Sequence, residues 1–263
     1  MTDTNPGVIL NMQLHFKESG QGGVVILLHG LFGSSDNWHF IAQRLAEKFH
    51  VFAVDHRNHG LSPHSAEMNY PLMAADVEKF FVTRGLESAV VIGHSMGGKT
   101  AMQFARQFPQ RVEKLVIADM APREYAPAHD KIFAALLALD LPQFQTRQQI
   151  EEALAVAIPS LVLRRFLLKN LGRNPAGEFF WKINLRDIAE SYPHLRQPVS
   201  HPEPFAKPAL FICGGKSKYV NDENEPLIRE LFPQAQIRTI AGASHWVHAD
   251  QPAEFLRLLL EFL

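Results

Sequence analysis

One serine in this chain stands between glycines at a spacing that suits nucleophilic chemistry. Within VVIGHSMGGKTA, residues 90–101, Ser95 lies between Gly93 and Gly97, each two positions away. This G-x-S-x-G pattern is typical of a serine on a sharp turn between a strand and a helix, where its hydroxyl is raised above a sheet. Glycines on both sides let neighbouring segments approach closely, because they carry no Cβ. We therefore predict a nucleophilic Ser95; the alternative is a glycine-rich turn with an incidental serine.

A serine nucleophile needs a general base, and the sequence offers one near its C-terminal end. His245 lies in IAGASHWVHADQP, in a loop that follows the last predicted strand. We prefer His245, because the chain order nucleophile, acid, histidine suits this arrangement. His248 is the rival, although it lies where the last helix is predicted to begin. A metal site at these two histidines lacks a third ligand at a suitable spacing.

The acid that orients the imidazole has more than one candidate. Asp119 ends a predicted core strand, at the sheet edge where the serine turn is expected, and we prefer it. Asp222 and Asp187 are the alternatives, and a cap on a following helix is the structural explanation for Asp119. Ser217 stands where such folds most commonly have the acid. It is therefore a candidate fourth member that hydrogen-bonds to the histidine or to the aspartate.

Attack of a serine on a carbonyl carbon creates an oxyanion, which needs hydrogen-bond donors. We expect one donor to be the backbone N–H of Met96, the residue after the serine. The second is expected from the loop HGLFG, residues 29–33, which follows an apolar run. Within that loop we prefer the N–H of Leu31, with Phe32 as the alternative.

Two kinds of segment alternate along the chain and supply the elements that position these residues. Short apolar runs rich in β-branched residues predict strands buried on both faces, as in a parallel sheet covered by helices. They lie at residues 24–30, 51–57, 89–94, 114–119 and 208–214, and a more alternating run lies at 235–242. Helical patterns occupy residues 36–49, 71–85, 96–109 and 252–263. The alternation predicts an α/β fold with a mostly parallel central sheet flanked by helices.

The stretch from Met120 to Lys207 interrupts this alternation. It contains helical patterns, such as KIFAALLALD and RQQIEEALAVAI, but no clear buried strand. An excursion of this length between two core strands is best explained by an inserted helical cap. We therefore predict an α/β core formed by residues 1–119 and 208–263, with a helical cap, or lid, at residues 120–207.

Five motifs follow one another along the chain: HGLFGSSDNW, DHRNHGLSP, GHSMGGK, ADMAP and GASHWVHADQP. With these motifs the sequence resembles the α/β-hydrolase superfamily over essentially its whole length, and YbfF-type bacterial esterases in particular. The resemblance implies a serine hydrolase with a helical cap that acts on acyl esters or acyl thioesters. A carboxylate at Asp119 agrees with this subgroup, whereas Ser217 departs from the general superfamily pattern.

Composition and charge exclude several classes of protein. The 263 residues are 46% hydrophobic and 20% charged, which is typical of a globular protein. A formal net charge of −1 gives no basic field for nucleic acid and no polybasic segment for a membrane surface. Residues 1–10 lack the features of a signal peptide, and no apolar run is long enough to span a membrane. With one cysteine, Cys213, we expect a cytoplasmic protein that binds neither nucleic acid nor membrane.

Two further groups of polar residues allow a functional and a structural interpretation. His56, His59 and His64 form a possible metal site, but we expect their loop to brace the serine turn instead. Four cations flank the predicted catalytic segments and either bind an anionic group, such as a phosphate of a coenzyme A ester, or are solvated. These four are Lys99, Arg123, Lys216 and Lys218.

Together these residues lead to one functional prediction and two alternatives. We predict a serine carboxylic ester hydrolase that cleaves short- to medium-chain acyl esters, or acyl-CoA thioesters, through an acyl-enzyme. No cofactor or metal is required, and the partner is the small-molecule ester or thioester itself. The alternatives are a carbon–carbon bond hydrolase with the same triad and a non-catalytic binder of small molecules on the same scaffold.

Overall fold

A seven-stranded sheet forms the centre of the computed structural model, which describes residues 12–199 and 201–263. Its strands are β1 (Phe16–Ser19), β2 (Gly23–Leu28), β3 (Phe49–Val54), β4 (Ala89–His94), β5 (Val112–Ala118), β8 (Ala209–Gly214) and β9 (Ala235–Ile240). They lie side by side in the order β1-β3-β2-β4-β5-β8-β9. All neighbours are parallel except β1, which is antiparallel to β3. A separate hairpin is formed by β6 (Leu171–Arg173) and β7 (Phe179–Trp181).

Helices connect these strands and cover the sheet. In chain order they are α1 (His39–Leu45), α2 (Tyr70–Arg84), α3 (Met96–Gln107), α4 (Asp130–Leu137), α5 (Arg147–Ala153), α6 (Leu161–Leu168), α7 (Leu185–Arg196), α8 (Glu225–Leu231), α9 (Val247–Asp250) and α10 (Pro252–Phe262). The predicted α/β fold with a mostly parallel sheet is therefore confirmed. The expectation that residues 1–10 contain no signal peptide lies outside the described residues.

The hydrophobic core forms two layers, one on each face of the sheet. Successive residues of β2 alternate between them, because side chains of a strand point to opposite faces. Ile26 and Leu28 join the layer beneath α2, α3 and α8, whereas Val25 and Leu27 join the layer beneath α1 and α10. Both layers exclude water from the strands, so the continuous apolar runs read from the sequence are explained by burial on two faces.

Four predicted strands end earlier than expected, and the difference matters most at β2 and β3. β2 stops at Leu28 and β3 at Val54, so His29 and residues 55–57 belong to loops at the carboxyl edge of the sheet. These loop residues bond to each other instead of extending the ladder; the His56 N–H, for example, donates to His29 Nε2 at 3.0 Å. The early strand ends therefore bring polar side chains to the edge where Ser95 lies.

The segment from Met120 to Lys207, which we call the cap segment, contains α4 to α7 and the β6–β7 hairpin. Its helices surround their own apolar cluster, which also takes in Phe32 and Met96 of the core. The cap segment therefore packs against the serine turn. The hairpin was not predicted, because each strand has only three residues and shows no alternation. Within the described residues, no helix is long and apolar enough to cross a membrane.

Helix α3 passes unusually close to the sheet at two glycines. A Cβ on Gly93 would lie 2.2 Å from the Gly97 carbonyl oxygen, and one on Gly97 would lie 2.3 Å from the carbonyl oxygen of Leu28. Both contacts are with backbone, which has no flexible side chain to move aside. The glycines on either side of Ser95 are thus required by the approach of α3 to β2 and β4.

This approach predicts that Gly97→Ala lowers the free energy of unfolding by about 3 kcal/mol, because overpacking against backbone is not relieved by a rotamer change. Gly23→Ala is the matched control, since its Cβ would meet no atom closer than Phe49 Cδ1 at 3.8 Å. Urea unfolding followed by circular dichroism measures both. Equal stability of the two variants would contradict this account of the glycines.

Candidate active site

Ser95 occupies the turn between β4 and α3 in a strained backbone conformation. Its φ of 53° and ψ of −119° lie outside the regions that non-glycine residues usually adopt. The turn is held by two hydrogen bonds: the Ser95 N–H donates to Ala118 O at 3.2 Å, and the Lys99 N–H donates to Ser95 O at 3.0 Å. Strain of this kind persists when the surroundings fix the backbone, and it is common at functional sites.

The structure brings Ser95, His245 and Asp119 together from three distant parts of the chain. His245 Nε2 lies 2.9 Å from Ser95 Oγ, and His245 Nδ1 lies 2.7 Å from Asp119 Oδ2. The imidazole thus lies between the hydroxyl and the carboxylate, with one ring nitrogen turned to each. This arrangement suits a hydroxyl that loses a proton to the histidine while the carboxylate stabilises the resulting imidazolium.

The carboxylate of Asp119 is fully buried, and each of its oxygens accepts hydrogen bonds. Besides His245 Nδ1, it accepts from the Gly214 N–H at 2.9 Å and from Ser217 Oγ at 2.5 Å. Ser217 in turn accepts from the Tyr219 N–H at 3.2 Å. Asp119 is therefore not a helix cap, and Ser217 contacts the aspartate rather than the histidine.

The rival candidates lie in other environments. His248, in α9, stacks on Trp38 with ring centroids 4.4 Å apart, and burial lowers its pKa to about 4. Asp187, in α7, accepts a hydrogen bond from Asn184 Nδ2 at 2.5 Å. Asp222 begins a short 3₁₀ turn. The hydrogen bonds of the described residues link none of these three to Ser95 or His245.

Two aromatic rings hold His245 in place, and sequence reasoning missed both. Tyr219 stacks on the imidazole with ring centroids 3.8 Å apart and an interplanar angle of 17°. In addition, His94 Nε2 donates to the His245 carbonyl oxygen at 2.9 Å. Burial lowers the pKa of His94 well below its usual value, so it is a neutral donor here. Only His94 has a signal in the sequence, because it is the residue next to Ser95.

The peptide between Gly30 and Leu31 is oriented by its neighbours. The Gly30 carbonyl oxygen accepts from His29 Nδ1 at 2.8 Å and from the Gly33 N–H at 2.9 Å. Because this peptide is trans, the Leu31 N–H points the opposite way. The alternative donor, the Phe32 N–H, already donates to His59 Nε2 at 3.3 Å. This geometry favours Leu31 over Phe32 as an oxyanion donor.

Met96 supplies the other expected donor. As the first residue of α3 it has no acceptor within its own helix. The hydrogen bonds of the described residues include none from the Met96 or the Leu31 N–H. Both residues line the same cavity as Ser95. The two N–H groups are thus available to a ligand oxygen.

The DHRNHGLSP loop forms its hydrogen bonds with residues 29–35, which follow β2, rather than with the serine turn, contrary to our expectation. Asp55 Oδ1 accepts from the Ser35 N–H at 2.6 Å, and His59 accepts from Phe32 as described above. Burial lowers the pKa of His59 to about 3, so it stays neutral and keeps Nε2 as an acceptor. His64, the third histidine of the possible metal site, donates from Nε2 to the Lys182 carbonyl oxygen at 3.2 Å. Within residues 12–199 and 201–263 no cluster of three or more His, Cys, Asp or Glu side chains has the arrangement of a metal site.

Two cavities meet at Ser95. The larger, of about 430 Å³, is lined by Leu31 and Met96 and extends towards Tyr125 and Tyr192. The smaller, of about 240 Å³, is lined by His245, Trp246 and apolar residues of the cap segment. An ester bound at Ser95 therefore has room for a group on each side of its carbonyl.

His129 lines both cavities and was missed from the sequence, because it lies in the irregular stretch YAPAHD. The Tyr192 hydroxyl accepts from the N–H groups of Ala128 and His129 and lies 2.8 Å from His129 Nδ1. With two donors already on its oxygen, the hydroxyl donates its own proton to Nδ1. Burial lowers the pKa of His129 to about 4, so a neutral imidazole with its proton on Nε2 stands where the cavities join.

Three of the four predicted cations line the larger cavity: Lys99, Arg123 and Lys218. Lys216 lines neither cavity at Ser95. Lys99 is buried, and its Nζ donates to the carbonyl oxygens of Arg196 at 3.1 Å and Gln197 at 2.6 Å. Burial lowers the pKa of Lys99 to about 7.

Comparison with known proteins decides the family. A family model described as the alpha/beta hydrolase fold matches residues 23–252. The chain belongs to the α/β-hydrolase family. It is 40% identical over 250 residues to the sn-1-specific diacylglycerol lipase ABHD11 of Mus musculus, and the match covers 91% of this chain and 80% of that protein.

Bacterial relatives and a solved structure agree with this assignment. The chain is 40% identical over 240 residues to the esterase YbfF of Escherichia coli strain K12, covering 91% of this chain and 92% of that protein. A solved structure described as a marine microorganism esterase has a TM-score of 0.94 and 44% identity, covering 96% of this chain and 100% of its own. The resemblance to YbfF-type esterases is confirmed, and this α/β hydrolase is of the esterase/lipase class.

Six histidines of the described residues have lowered pKa values because burial disfavours the imidazolium. They are His29, His56, His59, His94, His129 and His248. The unfolded chain binds protons at these positions near pH 6.5, whereas the folded chain binds them only at lower pH, with a pKa of about 3 at His59 and about 4 at His129 and His248. Their contribution to stability is complete above pH 6.5 and is lost as the pH falls below it.

We therefore predict that the free energy of unfolding decreases from pH 6.5 to pH 4, by at most about 1.4 kcal/mol per pH unit for each of these histidines. His248→Phe removes one of them while keeping a ring against Trp38, so its pH dependence should be shallower. His194→Gln, at an exposed position on α7, is the control. Urea unfolding at several pH values gives the slopes, and identical slopes for wild type and His248→Phe would contradict the prediction.

Proposed function

We propose that this α/β hydrolase cleaves short- to medium-chain carboxylic esters through a Ser95–His245–Asp119 triad and an acyl-enzyme. One observation carries the proposal: His245 lies 2.9 Å from Ser95 Oγ and 2.7 Å from Asp119 Oδ2, through different ring nitrogens. That geometry supports proton transfer from the hydroxyl to Nε2 while Nδ1–H stays bonded to the carboxylate.

In the first half of the reaction, Ser95 Oγ attacks the acyl carbon and its proton passes to His245 Nε2. The carbonyl oxygen becomes an oxyanion and accepts from the N–H groups of Met96 and Leu31, which are each expected to contribute on the order of 10²- to 10³-fold in rate. His245 then gives its proton to the leaving oxygen as the carbon–oxygen bond breaks. The alcohol departs and the acyl group remains on Ser95.

In the second half, water takes the place of the alcohol. Its proton passes to His245 Nε2 while its oxygen attacks the acyl carbon, and the oxyanion forms again between the same two donors. The bond to Ser95 Oγ then breaks, the serine recovers the proton from the histidine, and the carboxylic acid leaves. Asp119 keeps the imidazole in one tautomer and stabilises its charged form throughout.

The volumes and linings of the two cavities support the proposed range of ester substrates. The larger has about 430 Å³ and is lined by Met96, whereas Leu31 lines both cavities; its volume suits a short to medium acyl group. The smaller contains His245, the group that must protonate the leaving oxygen, and so suits the alcohol. Acyl-CoA thioesters are the second substrate class that we propose, with the thiolate leaving in place of the alkoxide.

We expect Ser95→Ala to lose turnover of p-nitrophenyl butyrate and of butyryl-CoA by at least about 10³-fold, because the nucleophile is removed. Asp119→Asn should lower kcat by about 10⁴-fold, because the amide favours the wrong tautomer of His245.

The wild-type ratio of kcat/KM for the two substrates chooses between esterase and thioesterase. A fluorophosphonate probe should label the wild type but not Ser95→Ala; failure to label the wild type would favour a non-catalytic binder.

Substitution of Ser217 tests whether this residue assists the triad as a fourth member. Removal of its hydroxyl takes one donor from Asp119, so the carboxylate attracts the imidazolium more strongly. We expect Ser217→Ala to shift the acid limb of the kcat/KM profile to higher pH and to lower kcat by roughly tenfold. Ser217→Thr keeps a hydroxyl and should restore the wild-type profile. An unchanged profile in Ser217→Ala would remove Ser217 from the mechanism.

A further inference from the structure

The larger cavity at Ser95 has an excess of positive charge. Four of its lining residues are Lys or Arg, namely Lys99, Arg123, Arg196 and Lys218, and no Asp or Glu is among the residues that line it. Lys99 is only partly protonated near pH 7, because burial lowers its pKa to about 7, so Arg123, Arg196 and Lys218 carry most of this charge. Glu124 lies outside this lining, and its Oε1 is 3.9 Å from Arg196 Nη1. A concave surface lined by cations attracts anions, and apolar walls between the cations strengthen the electrostatic field.

Arg123 and Lys99 have donors that the protein does not fully use. Arg123 stacks over the Tyr125 ring at 4.2 Å, and its Nη1 donates to the Glu124 carbonyl oxygen at 3.2 Å. Its Nε is buried and lacks a hydrogen-bond partner among the described residues. The Arg123 side chain lines the cavity, and a guanidinium binds a carboxylate through two parallel hydrogen bonds. Lys99 uses two of its three N–H donors on carbonyl oxygens.

The smaller cavity differs in just this respect. No Lys or Arg is among the residues that line it, which include Phe32, Leu163, Phe166 and Trp246. It holds His245, so the leaving group must lie there to receive its proton. The cations therefore face the acyl group, and an anionic leaving group such as a coenzyme A thiolate would have its phosphates directed away from them.

We infer that the acyl group of the substrate ends in a carboxylate: the cationic wall of the larger cavity fits a monoester of a dicarboxylic acid. This inference rests on the proposed function and names its substrate class. The ester carbonyl lies at Ser95, the apolar part of the acyl chain crosses the cavity, and the terminal carboxylate meets Arg123 and its neighbouring cations. Hydrolysis releases the alcohol and a free dicarboxylate.

The test compares acyl groups that differ only at their far end. p-Nitrophenyl hydrogen adipate is paired with p-nitrophenyl hexanoate, and the hydrogen suberate with the octanoate, so that chain length and leaving group match. We expect the wild type to favour the carboxylate-ended member of at least one pair by about tenfold or more in kcat/KM. Arg123→Gln should lower that preference by about 10- to 100-fold, the range for a lost hydrogen bond to a charged group.

Lys216→Gln is the matched control, because Lys216 lies two residues from Lys218 but lines neither cavity. Its preference should equal that of the wild type. The inference is overturned if the wild type favours both neutral esters, or if Arg123→Gln keeps the wild-type preference. It is also overturned if Arg123→Gln reduces kcat/KM for butyryl-CoA but not the preference for adipate, since the cations would then recognise leaving-group phosphate.

Binding separates this inference from the proposed function. Adipate itself should bind the wild-type protein in a calorimeter and bind Arg123→Gln at least about tenfold more weakly. If no ester is turned over, the proposed function fails, but adipate binding that depends on Arg123 would still support the anionic site. Absence of adipate binding to the wild type would reject it.

Discussion

The buried carboxylate of Asp119 is the constraint on which the arrangement of the site depends. A charge without solvent exposure is stable only when its oxygens are saturated with donors. Here the donors come from the end of β8, from the loop after it and from the loop after β9. The same requirement therefore holds the end of β8 and the loops after β8 and β9 around Asp119, and it sets the tautomer of His245.

Backbone contacts add a second constraint on the nucleophile. Ser95 adopts its unusual φ because α3 must begin immediately after β4 while pressing against β2, and only glycines allow that approach. The hydroxyl and the Met96 N–H are consequently positioned by main-chain packing, which is stiffer than any side-chain support. The Leu31 N–H is positioned differently, through the hydrogen bonds that turn the Gly30 carbonyl away.

The sequence predicted those parts of the structure that have a local pattern. Buried strands, their crossover helices and the serine turn are short-range features, and the fold followed from them. Asp119 was reached through its place at a strand end. Tyr219 and His129 could not be predicted in this way. Each is an aromatic ring in a loop, and no sequence pattern shows whether such a ring packs on a catalytic imidazole or on another part of the protein. The loop of Asp55 and His59 was assigned to the wrong neighbour, since only the folded sheet shows that β2 and β3 are adjacent.

Lys99 has a consequence for the way in which the site can open. It lies on α3, one turn after Met96, and holds the carbonyl oxygens at the end of α7 in the cap segment. Separation of these two elements would leave a cation and two helix-end carbonyls without partners unless water entered at once. The helix that presents the nucleophile therefore also holds the C-terminal end of α7, and these two elements separate only at the cost of both hydrogen bonds.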